Sequence, residues 1–391
     1  MKEVYIVAAN RSPITGIGGG LSSLSAIDLG AYVLSHTLQK AGIHKELVQE
    51  LFIGNVVASN MGQAPARQIG IKAGLSDSTI CTLINKVCSS GMKAVMFGAQ
   101  SIQLGISEMV VGGGVESMSN IPYYLEKARF GYRLGNGVLI DGIIKDALWD
   151  VYQDQHMGNI AESTAIKYDI SRQEQDQYAI NSYKRAANAW SNGLFENEII
   201  PIEYATKTRN IFVDRDEEYL NVNFDKIPFL KPVFDSQGSI TAANASTLND
   251  GATMIVLASY AAVKQHHLKP LARIVSYSDF AQTPDLFTTS PSFAIPKAIK
   301  NAGLNKNDIN FYEINEAFSV VSIVNNRLLD IDPNIVNVNG GAVSLGHPLG
   351  ASGARVLCTL SNVLHQNNGK YGVASICNGG GGASAIVIEK L

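Results

Sequence analysis

Cys88-Ser89-Ser90-Gly91-Met92-Lys93-Ala94-Val95 opens one stretch of this chain, and Gly350-Ala351-Ser352-Gly353-Ala354-Arg355-Val356-Leu357 opens another. The two run the same course. Each passes a Ser-Gly step and continues through a helical pattern, Ser89 to Leu104 in the first and Ala351 to Leu364 in the second. Each then turns into a short apolar run, Met109-Val110-Val111 or Val373-Ala374-Ser375-Ile376-Cys377, and meets a glycine cluster, at Gly112 or at Gly379. Short apolar runs bounded by glycine read as strands buried on both faces. The repeat period is far too long for a solenoid. It predicts two α/β halves of one topology packed face to face, with parallel connections and parallel or mixed sheets.

Outward from the repeat, the middle of the chain differs. From about Asn120 to Phe234 it is richer in charge, aromatics and polar residues. Ser171-Arg172-Gln173-Glu174 reads as a helix start, with Ser as N-cap and Glu at N3, and Asp176 to Asn188 continues that helix. Arg209 to Asp225 reads as polar and peripheral. Unstructured loops of such length are uncommon in compact domains, so the segment is expected to fold over the first half as an insertion.

With 391 residues the chain exceeds one ordinary core, and 46% apolar against 17% charged residues excludes a disordered protein. A formal net charge of −3 gives no footprint for nucleic acid, and a phosphate-bearing ligand would have to be met by local donors. Met1-Lys2-Glu3-Val4-Tyr5-Ile6-Val7-Ala8-Ala9 reads as a strand from the outset, without signal or transit character, and no apolar run is long enough for a membrane span. Cys81, Cys88, Cys358 and Cys377 have no metal-ligand or disulfide-framework spacing, which predicts free thiols in a reducing cytoplasm.

Four places carry candidate chemistry. Cys88, in Asn85-Lys86-Val87-Cys88-Ser89-Ser90-Gly91, sits where a strand ends and a helix begins; the positive end of a helix dipole there would lower its pKa. His347, in Gly340-Gly341-Ala342-Val343-Ser344-Leu345-Gly346-His347-Pro348-Leu349-Gly350, is presented by a rigid turn as a base should be. Cys377 ends a buried strand and is followed by Asn378 and four glycines. Asn315, in Asn315-Glu316-Ala317-Phe318, stands at a strand-to-helix junction, where it reads as an N-cap or as the holder of a water aimed at developing negative charge. Taken singly, each cysteine reads as core and the histidine as structural just as readily.

Together, and in this order, these blocks resemble the four active-site blocks of the thiolase family, and the resemblance runs from Val4-Tyr5-Ile6-Val7-Ala8-Ala9 to Ala385-Ile386-Val387-Ile388. It implies a five-layer αβαβα core of two similar halves, 1–268 and 269–391, with a CoA-binding loop domain inserted at about 120–248. It implies that Cys88 is acetylated by acetyl-CoA in a ping-pong mechanism, that His347 takes its proton, and that Cys377 removes a proton from a second acetyl-CoA. Acetoacetyl-CoA then leaves, and thiolysis is the reverse. Developing oxyanions would be met by His347 with a water held by Asn315, and by the backbone N–H groups of Cys88 and Gly379. CoA, a substrate rather than a covalent cofactor, would lie against Leu148, His156, Met157, Tyr183, Phe234, Ala242, Ser246, Leu248, Ala317 and Phe318. The pair His156-Met157 resembles that of the short-chain acetoacetyl-CoA thiolases.

Ala242-Ala243-Asn244-Ala245-Ser246-Thr247-Leu248-Asn249-Asp250-Gly251 resembles the mitochondrial-type branch. By that resemblance potassium would be bound by Tyr183, the carbonyls of Ala242, Ala243 and Ala245, and Val343, since backbone oxygens suit a hard cation. The family implies a homotetramer built as a dimer of dimers, with neither nucleic acid nor membrane as partner. Two departures stand out. Phe287-Thr288-Thr289-Ser290-Pro291 replaces the Met-Gly-x-Gly-Pro of many thiolases, and Asn221 stands where a basic residue often meets the CoA nucleotide. The rival readings are a 3-ketoacyl-CoA thiolase of broader chain length and a non-catalytic CoA-binding relative. A pocket closed by Met157 and Phe318 argues against the first, and four intact blocks argue against the second.

Overall fold

The computed structural model describes residues 2–391. The first half contributes β1 (Val4–Arg11), the short β2 (Thr15–Gly16), α1 (Ala26–Lys40), β3 (Glu50–Gly54), α2 (Pro65–Ala73), β4 (Ile80–Ile84), α3 (Ser90–Gln103) and β5 (Met109–Ser117). The chain then leaves the sheet. It forms three small hairpins, β6 (Tyr123–Tyr124) with β7 (Ile140–Asp141), β8 (Trp149–Asp150) with β9 (Gln155–His156), and β10 (Ile202–Ala205) with β11 (Asn210–Val213). Between the second and third hairpins lie α4 (Met157–Lys167) and α5 (Arg172–Ser191). β12 (Asn249–Ser259) returns to the sheet, and α6 (Tyr260–Gln265) follows it. The second half supplies β13 (Ala272–Ala281), α7 (Pro291–Asn301), β14 (Phe311–Ile314), α8 (Ser319–Leu329), α9 (Ala342–Leu345), α10 (Leu349–Gln366), β15 (Tyr371–Asn378) and β16 (Gly382–Lys390).

The strand order is β14-β15-β16-β13-β1-β12-β5-β3-β4. Read outward from the β13–β1 junction, both directions repeat one pattern: two antiparallel pairings, then a parallel one. The junction itself is a three-residue antiparallel pairing of Val4, Tyr5 and Ile6 with Ile274, Arg273 and Ala272. The predicted pair of similar halves is therefore present, with mixed sheets.

The layers follow from what each helix buries. Leu29, Leu34 and Leu38 of α1 and Ile69 of α2 pack on the outer face of the first-half strands, against Leu51, Val111 and Val256. Ala294, Ile295 and Ala298 of α7 cover the outer face of the second half, against Val373, Ala385 and Val387. Between the two halves lie α3 and α10, where Met92, Met96, Leu357 and Leu360 meet strands from both halves. α10 is buried along most of its length, and its polar residues Ser352, Arg355 and Thr359 meet buried partners instead of solvent. The sequence is α, β, α, β, α, as the resemblance implies.

Two expectations need correction. Gly112, Gly113 and Gly114 do not end the apolar strand; they continue β5, paired with β3 and β12. Their role is close approach. A Cβ on Gly114 would collide with the Gly350 carbonyl at the start of α10, so the bare backbone of one half seats the helix terminus of the other. Arg209 to Asp225 is not wholly peripheral either, because Asp216 is fully buried on Arg11. Ser171 does cap α5 by accepting from the Glu174 N–H, but the Glu174 carboxylate pairs with Arg327 instead of closing the reciprocal box.

Candidate active site

The turn that carries Cys88 is strained. Val87 has φ 49°, an outlying conformation for a β-branched residue. Hydrogen bonds over-determine it: Val87 N–H donates to Asn85 Oδ1, Ser90 N–H to the Val87 carbonyl, and Lys86 N–H to Ser90 Oγ. Lys86 is further pinned to the opposite half, with Nζ 2.6 Å from Asp279 Oδ1 and donating to Ser384 Oγ. Lys93 of α3 holds the other Asp279 oxygen at 2.7 Å, and the two ammonium groups overcome burial to hold this carboxylate down at about 2.

Ser89 joins the two cysteine segments. Its hydroxyl lies 2.9 Å from Asn378 Oδ1 and 3.3 Å from the Ile376 carbonyl, which flank Cys377. Beyond Cys377, Gly380 and Gly381 turn back at φ 80° and 85°, and a Cβ on Gly381 would strike the Gln282 carbonyl. Gly379 is different. A methyl there would meet Val87 and Met157 at ordinary distances, so this glycine leaves room rather than relieving a backbone clash.

His347 follows Gly346 (φ 102°) and precedes α10. Its backbone N–H donates to Asn249 Oδ1 at 2.8 Å. Ser352 Oγ gives its hydrogen to the Pro348 carbonyl and so accepts from His347 Nδ1–H at 2.6 Å. This leaves Nε2 unprotonated, with Asn315 Nδ2 at 3.4 Å. Asn315 is not an N-cap as one expectation had it. α8 begins at Ser319 with Phe318 at the cap position, so Asn315 is free to face the histidine.

Cys88, His347, Cys377 and Gly379 line one cavity of about 700 Å³. Asn315 stands behind its wall, fully buried. Burial pushes the Cys88 thiol up to about 12, although the N–H groups of Gly379 and Cys88 itself pull it down. The expected lowering by the helix dipole is overturned. Cys88 lies just ahead of the first helical residue, and there desolvation outweighs the helix dipole. Burial raises Cys377 too, with Cys88 adding to the rise. Burial, reinforced by Arg355, pushes His347 down to about 3. The resting site is therefore two thiols and a neutral imidazole. Alkylation of Cys88 by iodoacetamide should accelerate about tenfold per pH unit from neutrality to about pH 10. A plateau near neutrality would instead reveal a thiolate–imidazolium pair.

Residues 4–261 match the family model described as thiolase, N-terminal domain, and residues 268–390 match that of the thiolase C-terminal domain. The chain belongs to the thiolase family. Acetyl-CoA acetyltransferase of Schizosaccharomyces pombe is 52% identical over 391 residues, covering all of this chain and 99% of that one. The mitochondrial acetyl-CoA acetyltransferase of Homo sapiens is 51% identical over all of this chain and 91% of its own. Among solved structures, the Acat5 thiolase of Ascaris suum in complex with coenzyme A superposes with a TM-score of 0.94 at 44% identity, over the whole of both chains. Human mitochondrial 3-ketoacyl-CoA thiolase gives 0.96 at 38% identity, over all of this chain and 99% of that one.

The thiolase cavity is walled by Leu148, His156, Met157, Phe234, Ala242, Ser246, Leu248, Ala317 and Phe318, all nine of which the family resemblance implied. His156 caps α4 by accepting at Nδ1 from the Gly158 N–H, and burial lowers its pKa. Its ring stacks on Phe234 at 4.6 Å, and Phe234 meets Phe318 edge-on. Ser246 donates from both N–H and Oγ to the Ala317 carbonyl, tying the loop before β12 to the Asn315 segment. Phe287, from the departing stretch, also lines the cavity.

Tyr183 lies elsewhere. With Ala242 and Ala243 it borders a neighbouring cavity of about 310 Å³, and it packs on Val343. Glu218 borders both cavities, and after burial the negative charges of Glu218 and Glu316 hold the Tyr183 hydroxyl well above its ordinary value. Oxygen donors in a negative setting fit a hard monovalent cation. Ala245 lies on the main cavity.

Sequence reading missed Ser352 and Asn249, which orient His347, and Met118, Glu217, Glu218 and Leu349 in the wall. The Glu217 carboxylate accepts from Gly16 and Gly20 N–H groups, so it ties the glycine loop at Gly18-Gly19-Gly20 to the cavity rim. The only signal for that tie was the glycine cluster itself.

Proposed function

We propose that this thiolase is an acetyl-CoA C-acetyltransferase that joins two acetyl-CoA into acetoacetyl-CoA and CoA, and runs the reverse thiolysis. The convergence of Cys88, His347, Cys377 and Gly379 on one cavity carries the reading. His347 Nε2 takes the Cys88 proton as Sγ attacks the acetyl carbon, and the same proton leaves with CoA. The acetyl group stays on Cys88 as a thioester, its oxygen facing the N–H groups of Cys88 and Gly379. Cys377 then passes its thiol proton to the freed His347 Nε2 and, as thiolate, takes a proton from the methyl of a second acetyl-CoA. The enolate oxygen meets His347 and a water held by Asn315. The new carbon–carbon bond forms as Cys88 leaves as thiolate and takes a proton back from His347.

The wall of Met157, Phe234, Phe287 and Phe318 favours short acyl groups over longer 3-ketoacyl chains. CoA-dependent loss of acetoacetyl-CoA absorbance tests the whole reading, run beside a longer 3-ketoacyl-CoA. Faster cleavage of the longer substrate would favour the broader thiolase, and cleavage of neither a CoA-binding relative.

Potassium at Tyr183, Ala242, Ala243, Ala245 and Val343 would add positive charge beside the CoA wall, and the same assay with and without potassium reads it. A homotetramer would cover Phe130, Leu134, Val138 and Leu139, whose side chains stand exposed around the first hairpin, and Ile80 on the sheet edge. Among the described residues no helix is long and apolar enough to cross a membrane. Four free thiols suit a reducing compartment, and the cytoplasm is the one proposed.

A further inference from the structure

Asn315 is useful to the reaction only if its amide nitrogen, and not its oxygen, faces His347. An Asn amide has a donor end and an acceptor end of almost equal size, so the shape of a buried site does not choose between them. Its partners must. At Asn315 one partner is His347 Nε2, which Ser352 leaves unprotonated by taking the Nδ1 hydrogen. The other partner is Arg355, whose Nη2 stands 3.3 Å from Asn315 Oδ1.

A guanidinium has only donors. It accepts nothing from an amide NH2, so the flipped amide would set donor against donor at Arg355 and lone pair against lone pair at Nε2. Both residues are buried, with Arg355 1% exposed and Asn315 fully enclosed, so bulk solvent does not reach the Arg355 side of the amide to rescue a flip. The placement on α10 is economical. Ser352 and Arg355, three residues apart on one helix face, address the two nitrogens of the same imidazole, one directly and one through Asn315.

Arg355 is poorly spent if it is only a counter-ion. Its Nη1 is 3.5 Å from Glu313 Oε2, beyond good hydrogen-bond range. Nη1 and Nε have no hydrogen-bond partner among the described residues, and neither has either oxygen of Glu313. Among the described residues the one hydrogen bond this guanidinium makes is to Asn315. A buried ion pair so incompletely satisfied costs stability rather than supplying it.

We infer that Arg355 is a positioning residue of the thiolase reaction: it locks the Asn315 amide with its N–H groups toward His347 and the water that meets the developing enolate oxygen. The inference rests on the role given to Asn315 in the proposed function.

The test is a double-mutant cycle in the thiolysis assay. Arg355→Met is paired with Glu313→Gln so that no buried charge is stranded, and the pair is measured with Asn315 intact and with Asn315→Ala. With Asn315 intact, kcat should fall about tenfold or more while KM for CoA stays within about twofold. In the Asn315→Ala background the same pair should change kcat by less than about twofold. Equal losses in both backgrounds would overturn the inference and leave Asn315 in its role. Full activity in Asn315→Ala alone would overturn the role of Asn315 and the inference with it. If the neutral pair does not fold, Arg355→Lys keeps the buried charge and carries the same cycle.

Discussion

Cys88→Ala should abolish both half-reactions, lowering kcat on the order of 10⁴-fold or more, because no other nucleophile opens on the cavity at that place. Cys377→Ala should behave differently. It removes a base, which is worth on the order of 10²–10⁴ in rate, but it leaves the first half-reaction its nucleophile and its imidazole. Exchange of labelled CoA into acetyl-CoA, which needs only acetylation of Cys88 and its reversal, separates the two. The expected result is exchange lost in Cys88→Ala and retained in Cys377→Ala, with condensation lost in both. Exchange retained in Cys88→Ala would move the acyl carrier to Cys377 and reverse the assignment.

The same pair of variants bears on why the resting thiols are protonated. Burial raises both, so neither is a standing nucleophile exposed to oxidants or alkylators. His347, held down at about 3, enters the reaction as a neutral base. This depression also has a folding consequence. Between about pH 6.5 and about pH 3 the unfolded chain binds a proton at His347 that the folded chain does not. Its contribution to stability is therefore complete above the upper value and is lost as pH falls through the window.

How much of this the sequence carried depends on the kind of interaction. The paired halves were legible because burial on both faces leaves unbroken short apolar runs, and the close seating of α10 on β5 leaves glycines. The cavity wall was legible only through the family resemblance, since Leu148, Phe234 and Leu248 by themselves read as ordinary core. The residues that orient the catalytic groups were not. Ser352 and Asn249 act on His347 from opposite directions, one from the following helix and one from a strand 98 residues earlier. An Asn or Ser in a polar stretch carries no mark of its partner. The pKa of Cys88 was read with the wrong sign for a related reason: the helix start is visible in sequence, while the depth at which the thiol sits is not.

Arg11→Met should cost the protein about 3–5 kcal/mol of stability, because it leaves two buried carboxylates without their cation. Arg11 lies on β1, fully buried, with Nε 2.6 Å from Glu198 and a bidentate pair of bonds to Asp216. Burial works against its charge, and the two carboxylates outweigh burial to hold the guanidinium above its ordinary value. Asp216 also accepts from the Ile14 N–H and the Trp190 indole, and Glu198 from Thr359 and Asn362 of α10. One cation thus joins the first half, the inserted segment and the central helix of the second half. Its loss is felt at the cavity as well, since Asp216 is followed directly by Glu217 and Glu218 of the rim. A urea titration should show the midpoint falling, with KM for CoA rising in the variant that remains folded. Arg11→Met combined with Glu198→Gln and Asp216→Asn should recover part of the midpoint, because a neutral hydrogen-bonding set strands no charge. If the single and triple variants lose the same amount, the cost lies in the packing of the Arg11 stem over the Phe195 ring, 5.1 Å from the guanidinium carbon, and not in the stranded charges.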